Sequence, residues 1–283
     1  MTSSVEIVAR LAAIVELQKE ILGSLTDPES VGNIIVGRTA EITSGTGALI
    51  TILRDEDLIC QAESGSAVGH IGFHLPIEAS LSGHAIRDRK VMRCNNTEVD
   101  ARVDPEACRA MNVHSLIVAP LFDGDDALGT LCSLSTETDA FDDLDTHMLE
   151  ILAGISASAI VRARSLREHQ SAEERYRMLF DKNVAGVFRS TLSGRILDCN
   201  DSLVQYLGYD SRDDLLMKEA WDLYRDREDR QALLEEMHRH RAVRNARVHF
   251  RKKDGTPMIG VMNISTIPGE TGEEQLLGTL VEE

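Results

Sequence analysis

Apolar residues recur at helical spacing at Val5, Val8, Leu11, Ile14, Leu17, Ile21 and Leu25, which predicts an amphipathic helix over residues 5–25. The run Thr26-Asp27-Pro28-Glu29 then reads as a second helix start, with Thr26 or Asp27 as cap and proline in the first turn. That helix should reach about residue 42 and bury Ile34, Ile35 and Val36. Beyond it the period changes. Residues 47–53 and 58–64 read as a strand pair joined by the polar turn Arg54-Asp55-Glu56-Asp57, and residues 65–74 as a loop. A short helix over 80–88, a short strand over 90–93, an irregular polar segment over 95–104 and a short helix opened by Pro105 follow. Residues 114–122 and 127–135 are two buried strands around the turn Asp123-Gly124-Asp125-Asp126.

From Asp142 the pattern is helical for a long distance. Leu144, Met148, Ile151 and Ile155 keep heptad spacing, and the seam then weakens through Ser158, Ala159, Arg162 and Leu166. One helix over 142–181 would be roughly 60 Å long at 1.5 Å per residue, with a break near 168–172 as the alternative. A helix of this length with a seam and little surrounding core calls for a partner helix, so a parallel homodimer is expected. After Asn183 short strands return, at 184–190 and 195–198 around Leu192-Ser193-Gly194. A brief helix over 201–207 stops at Gly208, a longer one covers 227–241, and strands over 246–252, 257–267 and 275–281 close the chain. Their turns are Lys253-Asp254-Gly255-Thr256 and residues 268–274. The fold class is therefore α+β: two domains (1–165 and 183–283), each a central antiparallel sheet flanked by helices, joined by a helical linker over 166–182.

Composition agrees with this plan. The 283 residues suit two domains, and 42% hydrophobic with 27% charged residues is the balance of a folded chain. Against 30 Lys and Arg stand 47 Asp and Glu, a formal charge of −17 that repels phosphate backbones and argues against nucleic acid as a partner. The local basic cluster over 238–251 reads as a solvated strand and turn. The longest strongly apolar stretch, 115–122, is too short to cross a bilayer and contains Pro120. The N-terminus shows no basic segment leading into an apolar run, so a cytoplasmic chain with no membrane partner is expected. The five cysteines, Cys60, Cys94, Cys108, Cys132 and Cys199, are odd in number, spread out and without a Cys-x-x-Cys pair. That argues against a disulfide framework and a structural zinc site and fits a reducing compartment.

Two segments resemble sensory families. Residues 184–283 resemble a PAS domain through VFRSTLSGRILDCN, DSLVQYLGY, FRKKDGTPMIGVMNIS and LLGTLV, in that order. Residues 27–163 resemble a GAF domain through EVDARVDPEACRAMNVHSLIVAPLF and ALGTLCSLSTETDAFDDLDTHMLEILA, preceded by the helix over 81–89. The resemblance implies, for each, a sheet with a ligand-sized cavity against one face. It also implies a position upstream of an effector, a histidine kinase or a diguanylate cyclase. The last strand reaches Gly278-Thr279-Leu280-Val281 without the Asp-Ile-Thr run that commonly leads into an effector helix, so the effector is expected beyond Glu283.

The motifs of specific chemistries are weak or absent. His147 in DTHMLE and His169 in REHQS lack the surroundings of a phospho-acceptor histidine, and no P-loop or glycine-rich ATP lid is seen. The GGDEF-type cyclase and cyclic-nucleotide GAF signatures are also missing. Bilin attachment is disfavoured because no cysteine precedes a histidine; Cys108, on the short helix nearest the expected pocket mouth, is the best of poor candidates. Flavin photochemistry is disfavoured because Cys199 sits in DCND, before its helix, and Asn200 reads instead as a cap or a brace for the turn. Haem is disfavoured because only the presence of histidines (His84, His114, His238, His240) supports it. His70 and His74 are four apart but lie in a loop containing Gly69 and Gly72, so no metal site is expected. Paired acids such as Asp142-Asp143, Asp213-Asp214 and Glu235-Glu236 read as helix-start or solvent-face charges. No catalytic residues are expected. The candidates for a ligand pocket are Cys108, His114 and Cys132 in the first domain, and Trp221, Phe250 and Met262 in the second.

These readings converge on a non-enzymatic, cytoplasmic input module of a two-component sensor histidine kinase. An unknown small molecule or a partner would shift the packing of one sheet against its helices and move the helices over 142–181 within a dimer. The alternatives are the input module of a diguanylate cyclase, a ligand-free dimerisation scaffold, and a GAF-type methionine sulfoxide reductase using Cys60, Cys94 and Cys108.

Overall fold

A computed structural model describes residues 4–24, 27–78, 80–269 and 272–283. The chain divides into two compact units, residues 1–170 and 171–283.

In the first unit, α1 (Ser4–Gly23) buries Ile14, Leu17 and Ile21, and α2 (Pro28–Ile42) starts at Asp27, whose carboxylate accepts from the Ser30 N–H. Leu25 and Thr26, the expected helix end and alternative cap, lie outside the described residues. Of the three residues expected to be buried on α2, Ile35 and Val36 are, while Ile34 packs at the core's edge. Strands β1 (Gly47–Arg54), β2 (Asp57–Gly65), β3 (His74–Pro76), β4 (Met92–Cys94), β5 (Ser115–Asp123) and β6 (Asp126–Ser135) form one antiparallel sheet in the order β3-β2-β1-β6-β5-β4. Side chains alternate across it. Ala48, Ile50, Ile52, Ile117, Ala119, Leu121 and Leu131 face α1, α2 and α5 (Asp143–Asp181). Leu49, Val118, Cys132 and Leu134 face the short helices α3 (Leu81–Asp88) and α4 (Pro105–Ala110).

Helix α5 is unbroken over 39 residues, so the alternative break near 168–172 does not occur. It opens with a reciprocal cap in which the Asp142 N–H donates to Asp145 and the Asp145 N–H donates to Asp142, at 2.8 and 3.0 Å. Asp145 is itself buried and accepts from Arg10 at 2.6 Å and from the Ser44 N–H at 2.9 Å, tying α1 and the end of α2 to the start of α5. The heptad seam is used differently from expectation. Met148 lies in the core with Leu149 and Leu152, Leu144 and Ile155 pack against it, and Ile151 stays exposed. A core stripe of Met148, Leu149, Leu152, Ala153, Ala157 and Ile160, which shares only Met148 with the predicted seam, carries the burial. An 18-residue window of α5 has a mean hydropathy of 1.3 and is apolar enough by length and composition to cross a membrane, a longer stretch than 115–122; half of it is buried inside the protein.

The second unit contains β7 (Gly186–Thr191), β8 (Ile196–Cys199), α6 (Asp201–Leu207), α7 (Arg212–Leu216), α8 (Ala220–Leu223), α9 (Arg227–His240), β9 (Ala242–Arg251), β10 (Pro257–Pro268) and β11 (Glu274–Glu282). Its antiparallel sheet runs β8-β7-β11-β10-β9. The short helices pack on one face around Leu203, Leu207, Leu215, Leu223, Phe250, Met262 and Leu280. Three elements go beyond the sequence reading: β3, α7 and α8, of three, five and four residues, too short to show a period. Strand β9 starts at Ala242, four residues before its expected start, so the basic cluster over 238–251 is the last turn of α9 running into a strand.

Candidate functional site

In the second unit the packed face of the sheet encloses a cavity of about 30 Å³, room for one or two waters. Phe188 and Ser190 reach it from β7, Ile196 from β8, Leu203 and Leu207 from α6, Leu223 from α8, Arg230 from α9, and Phe250, Met262 and Leu280 from the remaining strands, with Tyr224 between α8 and α9. Strand alternation selects these residues: on β9, Val248 and Phe250 are buried while His249 and Arg251 face outward.

Arg230 is the anomaly of this wall. Only 2% of it is exposed. Its guanidinium lies 4.7 Å from the centroid of the Trp221 ring and 5.6 Å from that of Tyr224. One terminal nitrogen donates to the Leu192 carbonyl at 3.5 Å, and the buried Nε–H has no partner. Among the described residues no carboxylate pairs with it. The neighbouring Asp229 is taken up by the His249 backbone N–H and ring Nδ1, both at 3.0 Å. Burial pushes the Tyr224 phenol up, and Arg230 opposes that shift by charge and by a hydrogen bond. The β7–β8 turn supports the group: Trp221 Nε1 donates to the Ser193 carbonyl at 2.8 Å. Gly194 (φ 113°) passes so close that a Cβ would sit 2.8 Å from the indole and 3.3 Å from Arg230.

Of the second-domain candidates, Phe250 and Met262 line this cavity, whereas Trp221 is not among its lining residues and stands half-buried behind it, stacked on Arg230. Arg230 and Tyr224 go unrecognised in the sequence reading. A signal exists, because Arg230 leads Leu233 and Met237 at i+3 and i+7 and so sits on the buried stripe of α9.

In the first unit Cys108 and Cys132 do share a place, joined there by Cys60 and Cys94 in the core between the sheet and α3–α4. All five cysteines are buried. Burial raises the Cys60 and Cys94 thiols to about 12, and those of Cys108, Cys132 and Cys199 to about 11. Such thiols are almost wholly protonated at neutral pH and are poor nucleophiles. His114 does not join them; it stands half-buried at the start of β5, its backbone paired with Ser135 and Thr97. His70 and His74 bond separately, to the Ala67 carbonyl at 2.8 Å and to Asp57 at 3.2 Å. One set of possible metal ligands does converge where the sequence suggests none: Asp226, Asp229 and His249 bring ligand atoms within 4.8 Å of one another. The Asp229–His249 bonds already use that pair as a brace between α9 and β9.

Asn200 joins the cavity's scaffold to the end of α5. It is fully buried, its Oδ1 accepts from the Val187 and Leu203 N–H groups at 2.8 and 3.0 Å, and its Nδ2 donates to the Phe180 and Ala185 carbonyls, both at 2.9 Å. It therefore both caps α6 and braces the approach to β7.

Comparison with known families defines the class. The family described as GAF domain matches residues 26–161, and the family described as PAS domain matches residues 184–282. The protein is thus a sensory input module. It carries a GAF domain followed by a PAS domain. No curated protein matches the chain. Among solved structures it is similar to the GAF domain of an Acinetobacter phosphoenolpyruvate-protein phosphotransferase (16% identity over 59% of this chain and 99% of that one, TM-score 0.49). It is also similar to free methionine-R-sulfoxide reductase from Neisseria meningitidis (17%, 58% and 95%, 0.47). A third is a domain of a sensory box sensor histidine kinase/response regulator from Geobacter sulfurreducens (22%, 40% and 95%, 0.34).

Proposed function

We propose that this chain is the non-enzymatic input region of a cytoplasmic two-component sensor histidine kinase, and that it works as a parallel homodimer. In this reading a small molecule in the PAS cavity changes how α9 packs on its sheet. The change passes through the Asn200 brace to α5, and the α5 pair carries the rearrangement between domains and biases the effector.

The observation that carries the reading is the exposure profile of α5. Up to Ala163 the helix belongs to the GAF core, and Phe180 is buried in the PAS unit, yet every residue from 165 to 179 is exposed. A solvated helical stretch of that length is marginal alone; Leu166, Tyr176, Met178 and Leu179 give it apolar side chains to offer a partner. Further apolar surface lies in the GAF unit, where Val8, Leu11, Val15 and Leu22 of α1 and Ile151 of α5 are exposed beside an α1–α5 groove of about 490 Å³. The buried, protonated thiols count against reductase chemistry.

Because the native cysteines are buried, a thiol introduced at an exposed position reacts selectively. In Ile151→Cys, mild oxidation is expected to give a disulfide-linked dimer in high yield. A chain that stays monomeric at high concentration and does not cross-link would remove the dimer and the mechanism with it. In the intact protein, deleting α5 residues 168–171 should alter autophosphorylation.

A further inference from the structure

We infer that the PAS cavity binds a small organic carboxylate, with Arg230 as its counter-charge; this rests on the reading of the cavity as a sensing site and names its ligand class. A guanidinium removed from water without a counter-anion is strongly disfavoured. The faces of Trp221 and Tyr224 offset part of that cost. The Tyr224 phenol takes one hydrogen bond, the Leu192 carbonyl accepts one long one, and the buried Nε–H is left with nothing. This donor-rich group stands in the wall of an otherwise apolar cavity, with Tyr224 and Ser190 the other polar side chains lining it.

The chemistry of the wall selects the anion. A guanidinium presents paired donors in the geometry of a carboxylate. The walls formed by Ile196, Leu223, Phe250 and Met262 suit a short alkyl or aryl body and disfavour a heavily hydrated dianion such as phosphate. At about 30 Å³ the cavity holds no more than about two waters, so a larger ligand requires one of its walls to move, and α9, which carries Arg230, is one of those walls.

The site has a built-in reporter, because Trp221 is the only tryptophan and stacks on Arg230. Butyrate and benzoate are titrated against residues 1–283, following Trp221 emission and thermal stability, beside butyramide, benzamide and inorganic phosphate. The expected result is a saturable change with at least one carboxylate, with its amide weaker by about 10- to 100-fold, the range of one charge-assisted hydrogen-bonded contact, and no response to phosphate. Arg230→Gln should abolish the response and Tyr224→Phe should weaken it, both with native circular dichroism. If Arg230→Gln does not fold, Tyr224→Phe and the carboxylate–amide comparison on the unaltered protein decide. Equal responses to acid and amide, or a response to phosphate alone, would overturn the carboxylate assignment while leaving a ligand cavity in place. No response to any probe would overturn the assignment as well, and the Ile151→Cys cross-link then judges the input-module reading separately.

Discussion

Asn200 uses both ends of its amide in a fully buried place. Its oxygen satisfies two N–H groups and its nitrogen the carbonyls of Phe180, in the last turn of α5, and Ala185, with a longer 3.3 Å bond to the Asn183 carbonyl that the Ser202 hydroxyl also serves. Alanine would leave four backbone groups short of a partner. We expect Asn200→Ala to destabilise the PAS unit by about 2–4 kcal/mol, since each buried orphan costs about 1–3 kcal/mol and relaxation recovers part of the total. Thermal unfolding followed by Trp221 emission should show the loss, while the GAF transition, followed by far-ultraviolet circular dichroism, stays in place. Asp100 sets a second expectation at this scale. The Arg102 guanidinium, bonded at 2.6 Å, holds its carboxyl at about 2, below the ordinary 3.8. A depressed carboxyl contributes stability that is fully present above about pH 4 and is lost as pH falls through 2. Because Arg102 is 40% exposed, solvent screening limits the effect to about 1 kcal/mol. The stability difference between the protein and Asp100→Asn should therefore close between pH 4 and 2 in acid titrations of the GAF unit.

Among the elements, α5 is the one most directly open to test. Proline within a helix removes a backbone bond and clashes with the preceding turn, at about 3 kcal/mol. Over 165–179 there is no core to lose, so Glu168→Pro should leave both domains folded while lowering far-ultraviolet helicity and removing any effect of a PAS ligand on Ile151→Cys cross-linking. Retention of that effect would show that α5 is not the route. This helix was legible in the sequence because an unbroken run without proline, and with Gly154 as its only glycine, left little choice. Its packing was not legible: heptad spacing at Leu144, Met148, Ile151 and Ile155 looks the same whether the stripe faces a second helix or its own domain. Other features escape the sequence for local reasons. Cys60 and Ala62 are two residues apart and should share a face, yet they point into different cores, because the β1–β2 register shifts between Ile50 and Thr51 and leaves Gln61 as an extra residue. Helices α7 and α8 are set by caps, Ser211 on Asp214 and the Glu219–Asp222 box, rather than by any period. The cavity was half legible. Phe250 and Met262 follow from strand alternation, whereas the role of Arg230 depends on the absence of a counter-charge, which only the assembled fold reveals.

At the scale of the whole molecule, charge and apolar surface pull against each other. Each chain carries −17, and two such chains repel as they approach. The surface proposed to join them is apolar on α1, at Val8, Leu11 and Val15, and along 165–179 mixes apolar side chains with both signs of charge, Arg167, Glu173, Arg175 and Arg177 among them. These two ingredients respond oppositely to salt. Raising ionic strength from about 0.01 to 0.1 M shortens the screening length from about 30 to about 10 Å, which weakens the net repulsion, while apolar contact is little changed. An interface held chiefly by cross-chain ion pairs would instead loosen. Exposed pairs of that kind are worth about 0–1 kcal/mol each, too little to outweigh the repulsion of the full charge. Association measured by sedimentation should therefore tighten with added sodium chloride, by about tenfold over that interval. Ile151→Glu, which adds a further negative charge to the apolar patch of each chain, should weaken association at every salt concentration and most at the lowest. Association that falls with salt would mean that charge pairs along α5 hold the dimer, and the apolar surface on α1 would then belong to some other contact.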